Sequence, residues 1–282
     1  MKKYISCKDF TVSGEQFDLL FDEKHQMLVT TPQPELTDLG KYYESEDYIS
    51  HTDSKKSLFE KVYHAVRKYT LKRKVALLNS LVKNASDKSI LDVGCGTGDL
   101  LLACKNDSWK ISGVEPSDQA RTIASEKIDK EIYSDLFDIT NQKFDCITLW
   151  HVLEHVPDLE KYILKLKSLL KENGILIIAV PNYNSFDAKH YKEFWAAYDV
   201  PRHLHHFSQF SIQSLFSLIS FKVIKTIPMI FDSFYVSLLS EKYKRGKSNL
   251  FSAFWVGLRS NMIAKQSGEY SSLIYVLKSK EN

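Results

Sequence analysis

The sequence predicts an α/β fold in which a seven-stranded, mostly parallel sheet carries helices on both faces. The first observation is that, from residue 89 onward, short apolar runs alternate with segments of helical periodicity. This alternation is typical of βαβ units with right-handed crossovers. The second observation is the run GILIIAV at 174–180, which contains no polar residue. Such a run is expected in the middle of a sheet that is covered on both faces.

Each element is predicted from an apolar run or from helical spacing. The predicted strands are 89–93, 110–115, 131–135, 144–150, 174–180, 221–227 and 271–280. The predicted helices between them are 98–106, 116–128, 158–172 and 208–220. Residues 1–52 are predicted to form an irregular, degenerate N-terminal lobe, and residues 53–84 an amphipathic helical region. The remainder, 85–282, is predicted to be the main domain, with cap insertions at 181–206 and 228–270.

Bulk composition argues against several classes of protein. A formal charge of +3 over 282 residues is nearly balanced, which argues against a dedicated nucleic-acid binder. No apolar segment follows the N-terminal lysines, and no run of about 18 apolar residues occurs, so neither a signal peptide nor a membrane span is expected. The four cysteines are widely spaced and form no CxxC pair, which favours reduced thiols in the cytoplasm: Cys7, Cys95, Cys104 and Cys146.

The stretch SILDVGCGTGDLL, residues 89–101, places three alternate glycines directly after the first predicted parallel strand. Sheets of this type bind ligands beyond the carboxyl ends of their strands, and glycine lets a ligand approach the main chain closely. Asp99 stands where a dinucleotide fingerprint has its third glycine, and its carboxylate would repel a pyrophosphate. No Gly-Lys-Ser/Thr follows, so a P-loop is excluded as well. The ligand is therefore expected to carry little negative charge here.

Two carboxylates follow the next predicted strands. Glu115 ends the second strand, where a carboxylate can accept hydrogen bonds from both hydroxyls of a ribose. Asp135 follows the third strand and is placed to accept from the exocyclic amine of an adenine, with the main chain at Leu136 nearby. Together these positions predict a ligand in which an adenosine is attached to a zwitterionic or cationic group.

With these residues in place, the sequence resembles the class I S-adenosylmethionine-dependent methyltransferases. LDVGCGTGDLL, VEPS and SDL are similar to motifs of their first three strands. FDCITLWHVLEHVPD, LLKENGILIIAVPN and PRHLHHFSQFSIQSLFSLISFKVI resemble later segments of the ubiquinone-type O-methyltransferase branch. The resemblance covers about residues 85–227 and departs at LISFKV, where such enzymes often have Gly-Phe. It implies a Rossmann-like methyltransferase fold, S-adenosyl-L-methionine as cofactor and S-adenosyl-L-homocysteine as product.

The resemblance also implies which residues contact the cofactor. Asp92 and the three loop glycines would line the methionine moiety, Glu115 the ribose and Asp135 the adenine, while Trp150 and His151 would lie beside the sulfonium. The full predicted set is Asp92, Gly94, Cys95, Gly96, Gly98, Glu115, Pro116, Asp135, Leu136, Trp150 and His151. Cys95 is interpreted as a small filler rather than a nucleophile, because no histidine is an evident partner.

Histidines are enriched near the predicted cleft. An oxygen acceptor such as a phenol must lose its proton, and histidine is suited to that task near neutral pH. The predicted base is His151 first, with His155 and His203 after it. HVLEH also matches an inverted zinc-protease motif, but Pro157 ends the helical run that such a site needs. The N-terminal segment resembles a small zinc-binding lobe that has lost its cysteine pairs, so no metal is predicted at either place.

The predicted function is methyl transfer to a small-molecule acceptor, most simply an oxygen. The N-terminal lobe is expected to pack on the domain or to cover the acceptor site. Six aromatic residues of the first insertion are expected to wall the acceptor pocket, with core packing as the alternative for each: Tyr183, Phe186, Tyr191, Phe194, Trp195 and Tyr198. The alternatives are a methyltransferase acting on RNA or protein through the basic span 55–83, and a non-catalytic protein that binds the cofactor or its product.

Overall fold

The computed structural model describes residues 1–35, 37–43, 58–82 and 87–280. Within these ranges the chain forms ten strands, β1 (Lys2–Lys8), β2 (Gln16–Asp22), β3 (Met27–Thr31), β4 (Ser89–Val93), β5 (Lys110–Val114), β6 (Phe144–Trp150), β7 (Leu170–Pro181), β8 (His205–His206), β9 (Phe221–Pro228) and β10 (Ser272–Ser279). The predicted domain boundaries at 52/53 and 84/85 lie outside the described residues.

Eight α-helices connect or cover the strands in the same part of the chain. They are α1 (Leu58–Leu81), α2 (Asp99–Asn106), α3 (Asp118–Ile128), α4 (Leu159–Ser168), α5 (Phe186–Tyr191), α6 (Gln209–Ser217), α7 (Asp232–Arg245) and α8 (Leu250–Ser267). Ser117, Asp158, Ser185 and Ser208 cap the starts of α3 to α6 by accepting main-chain hydrogen bonds, as short polar side chains do at helix N-termini. None of these helices is long and apolar enough to cross a bilayer.

The central sheet has six strands in the order β5-β4-β6-β7-β10-β9. The strands β5, β4, β6 and β7 are parallel to one another, and β10 runs antiparallel to both of its neighbours. The predicted α/β fold class is confirmed, although the sheet has six strands instead of seven. The predicted strand at 131–135 contributes only a single parallel bridge, between Val114 and Tyr133. Its chain turns away at Asp135 into a 3₁₀ turn, Leu136–Asp138.

A second sheet, in the order β1-β2-β3-β8, is built mainly by the N-terminal lobe. The prediction that this region is irregular was therefore wrong for residues 2–31. Alternation explains the strands, because Phe17 and Leu19 on β2 point inward and are buried. The strand β8 comes from the first insertion, so the lobe and the cap share one sheet.

Apolar side chains cover both faces of the central sheet. One face packs against α4 and α6, and the other against α1, α2 and α3. A third core lies between the N-terminal lobe and the segment 183–200. The predicted helix 158–172 ends at Ser168, because Leu170 already pairs with Phe144 as the start of β7. The carboxyl ends of β4, β5 and β6 consequently converge on one edge, where the candidate site lies.

Candidate active site

The glycine loop follows β4, and its backbone conformation favours glycine at three positions. Gly94, Gly96 and Gly98 have φ of +70°, +53° and +79°. A Cβ built on Gly94 would lie 2.4 Å from Val152 Cγ2, whereas one built on Gly96 would meet no atom within 4 Å. The Gly94 N–H donates to the carbonyl of Val114 at 2.8 Å. The loop is thus pinned to its neighbours at Gly94 and exposes bare main chain at Gly96.

Glu115 lies directly beside the open part of this loop. The Gly96 N–H donates to Glu115 Oε2 at 2.8 Å, and the Ser117 N–H donates to Oε1 at 3.0 Å. Glu115, the residue predicted to bind the ribose, therefore lies at the loop, with the exposed Pro116 next to it. A ligand that used this carboxylate would share it with the main chain of the loop.

Asp135 and Leu136 lie at the same edge of the sheet, beyond the bridge between Tyr133 and Val114. Asp135 is exposed, and its Oδ1 accepts the Phe137 N–H at 2.9 Å, which caps the 3₁₀ turn. Leu136 is buried. Asp135, the residue predicted to bind the adenine, thus uses one carboxylate oxygen in a local hydrogen bond. Its side chain is exposed to solvent.

Asp92 forms the buried floor of the site. It is 3% exposed and accepts a 2.6 Å hydrogen bond from Thr148 Oγ1. Burial raises the pKa of Asp92 to about 6, although the Thr148 hydroxyl and the Lys74 charge oppose the shift. Lys74 of α1 places its Nζ 3.9 Å from the ring centroid of Trp150. Burial lowers the pKa of this lysine, while Asp92 and Asp232 favour its charged form.

Lys74 was not predicted from the sequence, although a signal exists. It lies on the apolar stripe of α1, between Leu71 and Leu78, where a lysine is out of place. Trp150, predicted to lie beside the sulfonium, is half-buried, and its Nε1 has no hydrogen-bond partner among the described residues. The site therefore already accommodates one cation on an aromatic face, close to carboxylates.

The surroundings of Asp99 differ from those that the sequence led us to expect. It begins α2, as predicted, but Lys127 Nζ lies 2.7 Å from its Oδ1 and Arg67 pairs with its other oxygen. These two cations neutralise the carboxylate that was expected to repel a pyrophosphate. The three side chains together carry a net charge of +1, so Asp99 by itself does not argue against a negatively charged ligand at this point.

His151 follows β6 directly and has a φ of +56°, an uncommon conformation for a residue with a side chain. Its Nδ1 lies 3.3 Å from Glu154 Oε1 and its Nε2 lies 3.2 Å from Asp232 Oδ2. Burial would lower the pKa of His151, but the hydrogen bonds that its ring donates to Asp232 and Glu154 outweigh it and raise the pKa to about 10. In this arrangement His151 is a proton donor at neutral pH, whereas the sequence predicts a proton acceptor.

The side chains of His155 and His203 contact each other next to Glu154. Their rings meet edge to face, with centroids 4.6 Å apart. His155 Nδ1 lies 3.0 Å from the Arg202 carbonyl and His203 Nδ1 lies 2.9 Å from the Ala197 carbonyl. A carbonyl oxygen only accepts, so each Nδ1 donates to one, and Nε2 is the nitrogen left to exchange a proton. Burial, followed by the charge of His203, lowers the pKa of His155 to about 4, so this ring is neutral at pH 7.

The same place could hold a metal ion, although the sequence predicts none. Ligand atoms of Glu154, His155 and His203 all lie within 4.8 Å of one another, the one such group in the ranges that the structure describes. The inverted zinc-protease motif is not its basis, because His151 is directed to Asp232 and the motif lies on a 3₁₀ turn, Leu153–His155. Only the tertiary structure brings His203 to this group.

The four cysteines are all free and buried. Burial, followed by the charges of Asp92 and Glu115, raises the pKa of Cys95, so the interpretation of Cys95 as a filler agrees with its surroundings. The aromatic residues of the first insertion pack against the N-terminal lobe. Four of the six belong to the third core and are no more than 5% exposed: Tyr183, Tyr191, Trp195 and Tyr198.

Comparison with known proteins identifies the family. A family model described as a methyltransferase domain (Methyltransf_23) matches residues 63–226, which is more than half of the chain. The chain belongs to this methyltransferase domain family. The matched region includes the glycine loop, Glu115, Asp135, His151 and His155. The predicted recognition of a class I methyltransferase is thereby confirmed.

Curated members of the methyltransferase group are similar over part of this chain. The ubiquinone biosynthesis O-methyltransferase of Glaesserella parasuis is 31% identical over 122 residues, which are 39% of this chain and 52% of that protein. The corresponding protein of Coxiella burnetii is 32% identical over 134 residues, or 44% and 57% of the two chains. An uncharacterized methyltransferase of Staphylococcus carnosus is 33% identical over 121 residues, or 42% and 56%. The match thus spans just over half the length of these relatives.

Solved structures share the fold of this methyltransferase domain. A magnesium protoporphyrin IX methyltransferase from Synechocystis PCC 6803, with bound SAH, aligns with a TM-score of 0.58 and 16% identity. That alignment covers 87% of this chain and all of the other. A geranyl diphosphate C-methyltransferase from Streptomyces coelicolor aligns with a TM-score of 0.55 and 13% identity, covering 81% and 88%. These alignments confirm the Rossmann-like methyltransferase fold.

Proposed function

We propose that this protein is an S-adenosyl-L-methionine-dependent methyltransferase that methylates an oxygen of a small molecule in the cytoplasm. The observation that carries the proposal is the contact between the glycine loop and the histidine turn. Gly94 is pressed against Val152, the residue that separates His151 from the turn leading to His155. A cofactor on the loop and an acceptor beside the histidines would therefore meet at one place. The O-methyltransferase names of the curated relatives support the choice of oxygen.

The residues at the sheet edge fit the proposed cofactor. Open main chain at Gly96 admits a close ligand, and Trp150 Nε1 is a buried donor with no partner in the described part of the chain. By the family resemblance, Glu115 would accept hydrogen bonds from the ribose and Asp135 from the adenine. The face of Trp150 contacts the Lys74 ammonium, whose charged form Asp92 favours, so a sulfonium bound at this face would take the place of the lysine. When bound, S-adenosyl-L-methionine supplies a methyl group already activated by a positive sulfur.

The chain's own contribution to the chemistry is positioning and proton transfer. Holding two reactants in line can supply about 7–11 kcal/mol of the barrier in favourable cases. His151, protonated between Glu154 and Asp232, orients the acceptor and fixes the geometry of the turn. The His155–His203 pair accepts the acceptor's proton at Nε2, because each Nδ1 is held by a main-chain carbonyl. Glu154, buried beside the pair, stabilises the imidazolium that results.

The test combines cofactor binding with turnover. Calorimetry with S-adenosyl-L-homocysteine should give a 1:1 complex that Glu115→Ala weakens about tenfold or more, roughly the value of a charged hydrogen bond. With labelled cofactor and a panel of phenols, carboxylates, amines and RNA, the label should appear on an oxygen. His203→Gln should lower kcat by about 10²–10⁴ while leaving cofactor affinity unchanged. His190→Gln, an exposed histidine away from the cleft, is the matched control.

The competing functions give different results in the same experiments. Binding of the cofactor without any labelled product would favour the non-catalytic alternative. Label on RNA or protein, lost as salt is raised, would favour the macromolecular one. Because the proposed proton acceptor is a histidine pair rather than a metal-bound water, activity should survive dialysis against EDTA. Loss of activity that Zn²⁺ or Mg²⁺ restores would contradict that assignment and favour a cation at Glu154, His155 and His203.

A further inference from the structure

In the helical hairpin formed by α7 and α8, helix α8 buries small side chains and exposes large ones. The residues of α8 that face inward are small and buried: Ala253, Gly257, Ser260 and Ala264. They pack closely on α7, where a Cβ on Gly257 would lie 3.0 Å from Phe234 Cα and Ser233 Oγ donates to the Gly257 carbonyl at 3.2 Å. A helix of a water-soluble domain normally buries its large apolar residues and exposes polar ones. This helix does the opposite.

The outer face of α8 is large, apolar and exposed. Five side chains are more than half exposed, with exposed fractions of 66%, 75%, 52%, 52% and 60%: Leu250, Phe251, Phe254, Trp255 and Met262. At 100° per residue, Phe251, Trp255 and Met262 fall within roughly 40° of one another around the helix axis. Phe251 and Phe254 each contact Trp255, with ring centroids 6.0 and 5.8 Å apart. Contiguous apolar surface of this kind marks an interaction site.

The exposed charges on the hairpin are mainly positive. Residues 229–268 contain six basic residues and two acidic ones. Both acidic residues turn inward, because Asp232 bonds to His151, and Glu241, which is 2% exposed, bonds to Arg245 at 2.6 Å and to Ser252. The exposed charges are therefore cations, and they lie at the end of α7, on the connecting loop and on α8: Lys244, Arg245, Lys247, Arg259 and Lys265.

We propose that the α7–α8 hairpin docks on an anionic lipid surface, lying in its interface without crossing it. Aromatic and apolar side chains enter the headgroup boundary, and lysine and arginine on the flanks contact anionic headgroups. The absence of exposed carboxylates on the hairpin favours such a surface over a neutral one. The hairpin contacts the candidate site at its first residue, because Asp232 bonds to His151.

The proposal is tested with vesicles and the full chain. Wild-type protein should float with vesicles of phosphatidylcholine containing about a third phosphatidylglycerol, and several-fold less with phosphatidylcholine alone. The double variant Phe251→Ser/Trp255→Ser should reduce binding about tenfold, and Lys244→Glu/Lys247→Glu should remove the preference for anionic vesicles. Raised salt should weaken binding. Leu218→Ser, which alters an apolar residue that is 65% exposed on another part of the surface, should leave binding unchanged.

Other outcomes would overturn the proposal. Equal binding of wild type and the Phe251→Ser/Trp255→Ser variant, or no binding to either vesicle, would contradict it. If light scattering showed a dimer that this variant dissociates, the face would belong to a second copy of the chain. Circular dichroism of each variant checks that the fold is retained. Vesicle binding is measured without methyl transfer, so failure here is distinguishable from failure of the proposed function.

Discussion

At the scale of single residues, two glycines of the loop allow the effect of backbone strain to be measured separately from the effect on ligand binding. Gly94→Ala places a side chain in the left-handed region and against Val152 Cγ2, at 2.4 Å. We expect it to lower the free energy of unfolding by about 2–4 kcal/mol, because strain and overpacking add. Urea denaturation followed by tryptophan fluorescence measures this loss.

Gly96→Ala is the matched variant, since its φ is also positive but the space in front of it is open. It should cost about 1–2 kcal/mol of stability from strain alone, and weaken binding of S-adenosyl-L-homocysteine about tenfold or more, because the new methyl group enters the space where main chain is exposed. Equal stability losses in the two variants, or an unchanged affinity of the Gly96 variant, would contradict the geometry of the loop.

His151 makes stability depend on pH on the alkaline side. Its pKa is raised from an ordinary 6.5 to about 10, so the stabilisation is complete below pH 6.5 and is lost as pH rises through 10. Asp232→Asn removes one of the two carboxylates that cause the shift. The urea midpoint of this variant should fall less between pH 6.5 and 10 than that of the wild type. Asp118→Asn, at an exposed carboxylate, should keep the wild-type slope, and a shared slope in all three proteins would argue against the raised pKa.

At the scale of elements, Arg202 ties the N-terminal lobe to the first insertion. Its side chain is 2% exposed and donates to Asp9 at 3.1 Å, to Asp199 at 2.7 Å and to the Tyr42 carbonyl at 2.8 Å. Arg202→Met leaves Asp9 buried without its cation, and removing one partner of a buried pair costs about 3–5 kcal/mol. Chemical denaturation should show that loss.

Lys3→Met is the comparison for Arg202, because the Lys3–Asp18 pair is exposed on both sides. An exposed pair contributes less than about 1 kcal/mol, so this variant should stay close to the wild type. If the free energy of unfolding fell by a similar amount in both variants, burial would not explain the contribution of the Arg202 ion pairs to stability. That result would also remove the argument that the lobe and the insertion fold as one unit.

The elements predicted from sequence show where local patterns suffice. The strands at 89–93 and 144–150 match β4 and β6, because buried parallel strands are apolar throughout and end abruptly at polar or turn residues. The N-terminal strands were missed, since each is short and half-exposed, and their pairing is stabilised by side chains from residues 183–200. The six-stranded sheet differs from the expected seven because 131–135 makes one bridge and then turns.

At the scale of the whole molecule, buried neutral histidines make the fold sensitive to acid. Burial lowers the pKa of both His155 and His205 from 6.5 to about 4, and it also lowers the pKa of His206 well below 6.5. A lowered pKa in the folded state means that stability is complete above pH 6.5 and is lost as pH falls toward 4. The free energy of unfolding should therefore decrease over this interval, as measured by urea denaturation at successive pH values.

The double variant His155→Gln/His205→Gln tests the cause of this sensitivity. Glutamine does not titrate, so the variant should lose less stability between pH 6.5 and 4, even if it is less stable at pH 7. His64→Gln, at an exposed position on α1, should keep the wild-type dependence on pH. An unchanged acid dependence in the double variant would show that carboxylates rather than these histidines control it.

The sequence by itself determined the alternation that makes the sheet, the glycine loop, the carboxylates that follow β4, β5 and residue 133, and the family that these motifs share. Each of these is set by chemistry within a few neighbouring residues, or by the rule that parallel strands end at one edge. The tertiary structure alone decided that His151 is protonated, that His203 faces His155, and that Lys74 lies on Trp150. Protonation and pairing depend on groups far apart in the chain, because burial and neighbouring charge fix a side chain's chemistry only after folding.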